Sequence, residues 1–171
     1  AGAPTLYAVS QAADAVKDYG SDVPIIADGG LRNPGDIAVA LAVGASCAMM
    51  GNVFAGCSES PGRLVALEGR YYKEYYGMGS PRARRKRFVQ DRYSQPSKAI
   101  SEGVEGWVPY RGPVTDILSE FVGGLKAAMG YIGARTVPEI WDKAKLARIT
   151  SRGAKEIAPH DVMRPGPNRE L

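Results

Sequence analysis

The sequence predicts an α/β fold in which parallel strands are covered by helices. Three observations carry this expectation. Helical spacing of apolar residues alternates with short apolar runs through residues 1–60. Those runs, "VPIIADGG" and "SCAMMGN", are apolar throughout instead of alternating with polar residues, as strands buried on both faces are. Each run also stops abruptly in glycines and polar residues, at the strand end where α/β folds bind ligands.

Taken in order, Leu6, Val9, Ala13 and Val16 recur at three- and four-residue intervals and Gly20 follows, which predicts an amphipathic helix with a glycine stop. "VPIIAD" is then a short β-branched strand ending at Asp28-Gly29-Gly30. "NPGD" reads as a helix start, with Asn33 as N-cap, Pro34 at the first helical position and Asp36 three residues after the cap. That helix runs through Ile37, Ala40 and Leu41 and stops at Gly44. "SCAMMGN" is a second buried strand ending in Gly51-Asn52.

After residue 60 the character changes. "RLVALEGRYYKEYYGMG" predicts two short strands joined at Glu68-Gly69. Residues 80–113 show no sustained period and are rich in charge, Gly and Pro, the mark of a functional or disordered loop. Order returns at Val114, where Ile117, Leu118, Phe121, Val122, Leu125 and Met129 form a helical stripe. Thr136 and Glu139 form a capping-box pair for a further short helix. The polar tail from Ser151 onward reads as extended, and no internal repeat is present.

Composition is ordinary for a globular protein of 171 residues, with 44% hydrophobic and 23% charged residues. No apolar run is long enough to span a bilayer and the N-terminus lacks a signal-peptide pattern, which predicts a soluble, cytoplasmic chain without a membrane partner. The two cysteines, Cys47 and Cys57, lack metal-ligand spacing, so no disulfide framework is expected; Cys47 reads as a small packing hydrophobe. The net charge of +4 draws much of its excess from Arg82, Arg84, Arg85, Lys86 and Arg87, a local surplus that reads as a solvated loop or as the mark of an anionic ligand.

The strand tips gather Asp28, Gly29, Gly30, Gly51 and Asn52 on one rim. Glycines after a strand let a phosphate approach backbone N–H groups, and a strand-tip aspartate can accept both hydroxyls of a ribose. The pattern fits a sugar-phosphate or nucleotide site and, equally, a pair of tight βα turns. "GMGS" after paired tyrosines reads either as a loop presenting backbone to a planar base or as a plain turn. The lone His160 reads as a surface residue.

"PIIADGG", "AMMGN", "ESPG", "YYGMGS", "DRY", "EGVEGWVPYRGPV", "GGLKAAMGYIGA" and "ARITSRGAKEIAPHD" occur in one order along essentially the whole chain. In these motifs the sequence resembles the inosine-5′-monophosphate (IMP) dehydrogenase family. The resemblance implies the C-terminal part of a (β/α)8 TIM barrel, with residues 1–60 as the last βα units. Residues 61–113 would be substrate loop and mobile flap, and 114–171 the C-terminal helices and tail. It implies oxidation of IMP to XMP with NAD, through a thioimidate on a cysteine upstream of this chain, followed by flap-assisted hydrolysis.

Carried over by matching motif, Asp28 would hold the ribose, and Gly29, Gly30, Gly51 and Asn52 would line the phosphate side. Asn52 stands where the family has a serine, which implies a changed contact and not a lost one. Tyr75 would reach the phosphate; Gly77, Met78 and Gly79 would present backbone to the hypoxanthine, and Glu102 would pair with its edge. Arg92 and Tyr93 match the flap's water-activating pair. Glu156, Ile157 and Ala158 match a segment completing a potassium site in a neighbouring subunit. The resemblance also implies a homotetramer and an N-terminal remainder of the same barrel, without which this chain is expected to leave strand edges and half a core exposed, and neither to fold nor to catalyse. GMP reductase shares the barrel and "GMGS" but needs no such flap, and "QDRY" with "SEGVEG" favours the dehydrogenase. A catalytically dead relative also fits the residues. A nucleic-acid module using residues 82–87 is disfavoured because the basic run lacks aromatic interleaving.

Overall fold

A computed structural model describes residues 2–77, 79–82 and 104–157 of the chain. The first unit runs α1 (Thr5–Asp18), β1 (Ile26–Asp28), α2 (Pro34–Ala42), β2 (Cys47–Met49) and α3 (Asn52–Ala55). A second follows as β3 (Leu64–Leu67), β4 (Arg70–Tyr76) and β5 (Glu105–Pro109). The helices α4 (Val114–Ile132), α5 (Val137–Lys143) and α6 (Ser151–Glu156) close the described chain. This is mixed helix and sheet, in the predicted class.

β1 and β2 pair in parallel, Ile26 opposite Cys47, Ala27 opposite Ala48 and Asp28 opposite Met49. The strands read as buried in a complete barrel, with half of that core expected to lie exposed in this chain, and such an exposed half is present. Ala27 is wholly buried against the helical layer, whereas Ile26, Cys47 and Met49 are exposed. Successive side chains of a strand point to opposite faces. One face therefore meets the helices, and the other is left uncovered among the described residues. For the same reason Cys47, expected to pack as a hydrophobe, lies exposed while Cys57 is buried.

Helices α2, α5 and α6 start on side-chain caps. Asn33 accepts from the Asp36 N–H at 3.0 Å, and Asp36 accepts in return from the N–H groups of Asn33 at 3.2 Å and Arg32 at 2.7 Å. This reciprocal box starts α2 where the sequence placed it. At α5 the box is offset by one residue. Thr136 accepts from the Glu139 N–H, but the Glu139 carboxylate reaches back to the Arg135 N–H at 3.1 Å. The core joins Val9, Ile37, Leu41, Ile117, Phe121 and Ile140, with α2 packed on α4 and α5.

β3, β4 and β5 form an antiparallel sheet in that order. Glu68 (φ 49°) and Gly69 (φ 74°) turn β3 into β4 with two positive φ values, the two-residue connection whose twist matches a hairpin. β5 was missed, since it lies in the stretch expected to have no period. Only Val108 of that strand is buried, so "EGWVP" carries no alternation to detect. The tail was also expected to be extended up to its end, yet Ser151–Glu156 is helical, started by Thr150 accepting from the Gly153 N–H at 3.1 Å. No helix among the described residues is long and apolar enough to cross a membrane.

Candidate functional site

A cavity of about 640 Å³ opens at the C-terminal tips of β1 and β2, within the range of about 300–1,000 Å³ usual for small-molecule sites. Three parts of the chain build its wall. Gly29, Gly30, Leu31 and Arg32 come from the β1–α2 loop, and Met49 to Val53 from the end of β2 and start of α3. Tyr75 comes from β4 and Arg111 from the segment after β5. Gly29 and Gly30 have φ values of 91° and 79°, which side-chain-bearing residues rarely adopt, so the glycine pair is what lets the chain fold back over the strand tip.

Of the residues expected to form a site, Gly29, Gly30, Gly51, Asn52 and Tyr75 are brought together on this wall. Asp28 is exposed at the end of β1 beside Gly29 but is not part of the lining. Gly77 and Gly79 lie just past β4, where the Gly77 N–H donates to the Val104 carbonyl at 2.9 Å and the Ser80 N–H to the Gly77 carbonyl at 2.9 Å. Glu156 ends α6 and Ile157 follows it, both away from this cavity. Met78, Arg92, Tyr93, Glu102, Ala158 and His160 lie outside the described residues, as do the basic positions 84–87.

Two charged lining residues were not anticipated, Arg32 and Arg111. Neither guanidinium has a hydrogen-bond or ion-pair partner among the described residues, and no lining residue is acidic. The sequence offered only a faint signal for Arg111, an arginine immediately before the Gly112-Pro113 that leads into α4.

Arg82, by contrast, is not a solvated member of a basic arm. Its guanidinium donates to Glu74 at 3.2 Å and lies 5.0 Å from the centre of the Tyr76 ring, while its N–H donates to Glu105 at 2.8 Å. Glu74 also receives Arg63 at 2.7 Å and 3.1 Å. The hydrogen bonds from Arg63, reinforced by Arg82, hold its carboxyl at about 2 against a partial desolvation that pushes the other way. Glu74 and Tyr76 alternate with Lys73 and Tyr75 along β4, so this cluster occupies the sheet face opposite the one that carries Tyr75.

Cys57 is no nucleophile in this setting. Burial raises its thiol above the ordinary value and the Glu59 charge adds to that, with Arg111 opposing. Among the described residues no cluster of His, Cys, Asp and Glu is arranged to hold a metal ion. A second cavity, about 580 Å³, lies at the other end of β1 between α1, α2 and Trp141. It has neither the strand-tip glycines nor any arginine, and the strand-tip cavity is the candidate.

The domain family described as IMP dehydrogenase / GMP reductase matches residues 1–160. The inosine-5′-monophosphate dehydrogenase of Korarchaeum cryptofilum is 56% identical over 160 residues, covering 94% of this chain and 34% of that relative. Those of Aquifex aeolicus and Methanocaldococcus jannaschii are 49% and 46% identical, over 98% and 95% of this chain and 34% of each relative. The chain thus spans about a third of the length of the curated relatives it matches. With nearly its whole length inside the matched region, the chain belongs to the IMP dehydrogenase / GMP reductase domain family.

Proposed function

We propose that this chain supplies the substrate-phosphate wall of an NAD-dependent IMP dehydrogenase, which converts IMP, NAD⁺ and water to XMP, NADH and a proton in guanine nucleotide synthesis. The observation that carries the proposal is the meeting of Gly30, Gly51, Asn52 and Tyr75 around one cavity. Their N–H, amide and hydroxyl groups are the donors a phosphate monoester requires. Asp28 at the edge of that wall accepts the ribose hydroxyls. Gly77, Met78 and Gly79, with Glu102, hold the purine and set its C2 toward the reacting groups.

β1 and β2 are two neighbouring strands of a (β/α)8 barrel in this reading. Its support is their parallel pairing and the uncovered face of Ile26, Cys47 and Met49, which a closed barrel would fill with side chains from other strands. Those strands, and the nucleophilic cysteine, belong to the part of the polypeptide that the curated relatives carry beyond this match. NAD⁺, when bound, would supply the acceptor for the hydride of purine C2. Arg92 and Tyr93 then direct water to the covalent thioimidate held on the cysteine, which releases XMP and the thiol. Glu156, Ile157 and Ala158 offer oxygen atoms of the hard kind that potassium takes, completed by a partner subunit of a homotetramer.

The test is turnover by the full-length polypeptide. NADH formation from IMP and NAD⁺ supports the dehydrogenase, while NADPH consumption with GMP in its place assigns the chain to the reductase branch of the family. Arg92→Ala separates the stages. A burst of NADH followed by slow turnover is expected, and equal loss in both stages would remove the flap assignment.

A further inference from the structure

We propose that Arg111 reads the negative charge of a phosphomonoester in the strand-tip cavity, so that the site takes a nucleoside monophosphate over the uncharged nucleoside. The proposal rests on the nucleotide reading above and adds a residue to it.

Arg111 is seated before any ligand arrives. Its N–H donates to the Gly56 carbonyl at 2.9 Å, and the next residue's carbonyl, that of Gly112, accepts from the Ser58 N–H at 2.8 Å. Cys57 and Gly112 complete the stitch as a parallel bridge. The side-chain stem lies over Gly56, where a Cβ would stand 3.2 Å from Arg111 Cγ and 3.4 Å from Cδ. Glycine is required at this position first by the Pro109 backbone carbonyl, which a Cβ would run into, and the Arg111 stem packs close beside the same spot. Much of the rotational freedom that a long side chain surrenders on binding is therefore already restricted here.

The guanidinium at the end of that stem is uncommitted. Arg63 and Arg82 are both paired with Glu74. The nearby carboxylate of Glu59 accepts the Val114 N–H at 2.9 Å at the start of α4. Arg111 has no such partner among the described residues, and the cavity it lines contains no acid. Arg32 also lines the cavity, but only its backbone is tied, through its N–H to Asp36 at 2.7 Å. A planar, permanently charged fork on a residue that lines one cavity with Gly30, Gly51 and Tyr75 matches a phosphate dianion and offers little to a neutral sugar alcohol.

The experiment is calorimetric titration of the full-length polypeptide with IMP, inosine and inorganic phosphate, for wild type, Arg111→Met, Arg111→Lys and Arg32→Met. Arg111→Met is expected to weaken IMP by about 10–100-fold, the range of a lost charge-assisted contact, with inosine unchanged. Arg111→Lys should recover part of that loss, and Arg32→Met should fall short of it. An unchanged ratio of IMP to inosine affinity in Arg111→Met overturns the proposal, and so does an equal loss for both ligands. If wild type binds neither nucleoside nor nucleotide, the nucleotide reading fails and inorganic phosphate decides Arg111 by itself. Phosphate binding lost in Arg111→Met then upholds an anion seat; phosphate binding unchanged, or absent from wild type, removes it.

Discussion

Glu74 Oε2 accepts a hydrogen bond from Arg82 Nη2 at 3.2 Å, and this contact ties the segment after β4 to the back of the strand it has just left. Between these residues the chain passes through Gly77 and Gly79, and Gly77 is tied in turn to Val104. The loop assigned to the purine is thus held from behind by an ion pair that does not line the cavity.

Acid should loosen this arrangement in a defined window. Glu74 has its folded pKa lowered to about 2, chiefly by its hydrogen bonds to Arg63. A depressed carboxylate stabilises the fold above its unfolded pKa, about 4.3, and that contribution is lost as pH falls through the folded value. Thermal unfolding followed from about pH 7 downward should show wild type exceeding Glu74→Gln at neutral pH. The gap should close between about pH 4.5 and 2, and a gap independent of pH would contradict the assignment.

Neighbouring glycines in α4 should respond with opposite signs. A Cβ on Gly124 would run into the Pro34 ring where α4 crosses α2, whereas one on Gly123 meets nothing within 4 Å. Gly124→Ala is expected to destabilise by about 1–3 kcal/mol through overpacking. Gly123→Ala should stabilise by about 0.5–1 kcal/mol through helix propensity. Denaturant midpoints at constant m decide both.

Removing the α2 cap should cost about 1 kcal/mol. Asn33→Ala deletes the acceptor for the Asp36 N–H and leaves Asp36 still holding the Arg32 N–H. Chemical denaturation should register the loss, with the cavity wall retained.

The Tyr75 hydroxyl is assigned to the phosphate. Tyr75→Phe should therefore raise the KM for IMP by about 10-fold while leaving kcat nearly unchanged, the pattern of lost uniform binding. A fall in kcat at constant KM would move Tyr75 from binding to the chemical step.

Much of this was legible in the residues, for identifiable reasons. Asn33, Pro34 and Asp36 specify a helix start through contacts three residues apart, and Glu68-Gly69 specifies a hairpin through local backbone preference. Gly29, Gly30, Gly51 and Asn52 could be gathered on one rim because parallel strands bring their tips together. β5 was not legible, since its pairing with β4 spans the whole stretch from Tyr76 to Glu105 and only Val108 is buried. The seat of Arg111 was hidden for a related reason. It depends on Gly56, whose closeness follows from a bridge between residues far apart in the chain. The exposed face of β1 and β2 follows from the same apolar runs once the remaining barrel strands are taken to lie outside this chain.

The cavity wall joins both parts of the fold, with glycines from the tips of β1 and β2, Tyr75 from β4 of the antiparallel sheet and Arg111 from the segment after β5. An occupant touching all of them would act as a rivet between two parts of the fold that otherwise meet through few backbone bonds. Linkage then makes ligand affinity visible as heat resistance. At a hundred times its Kd, such a ligand would add about 2.7 kcal/mol to stability, and an Arg111 or Tyr75 variant should forfeit part of that gain even in an assay with no turnover.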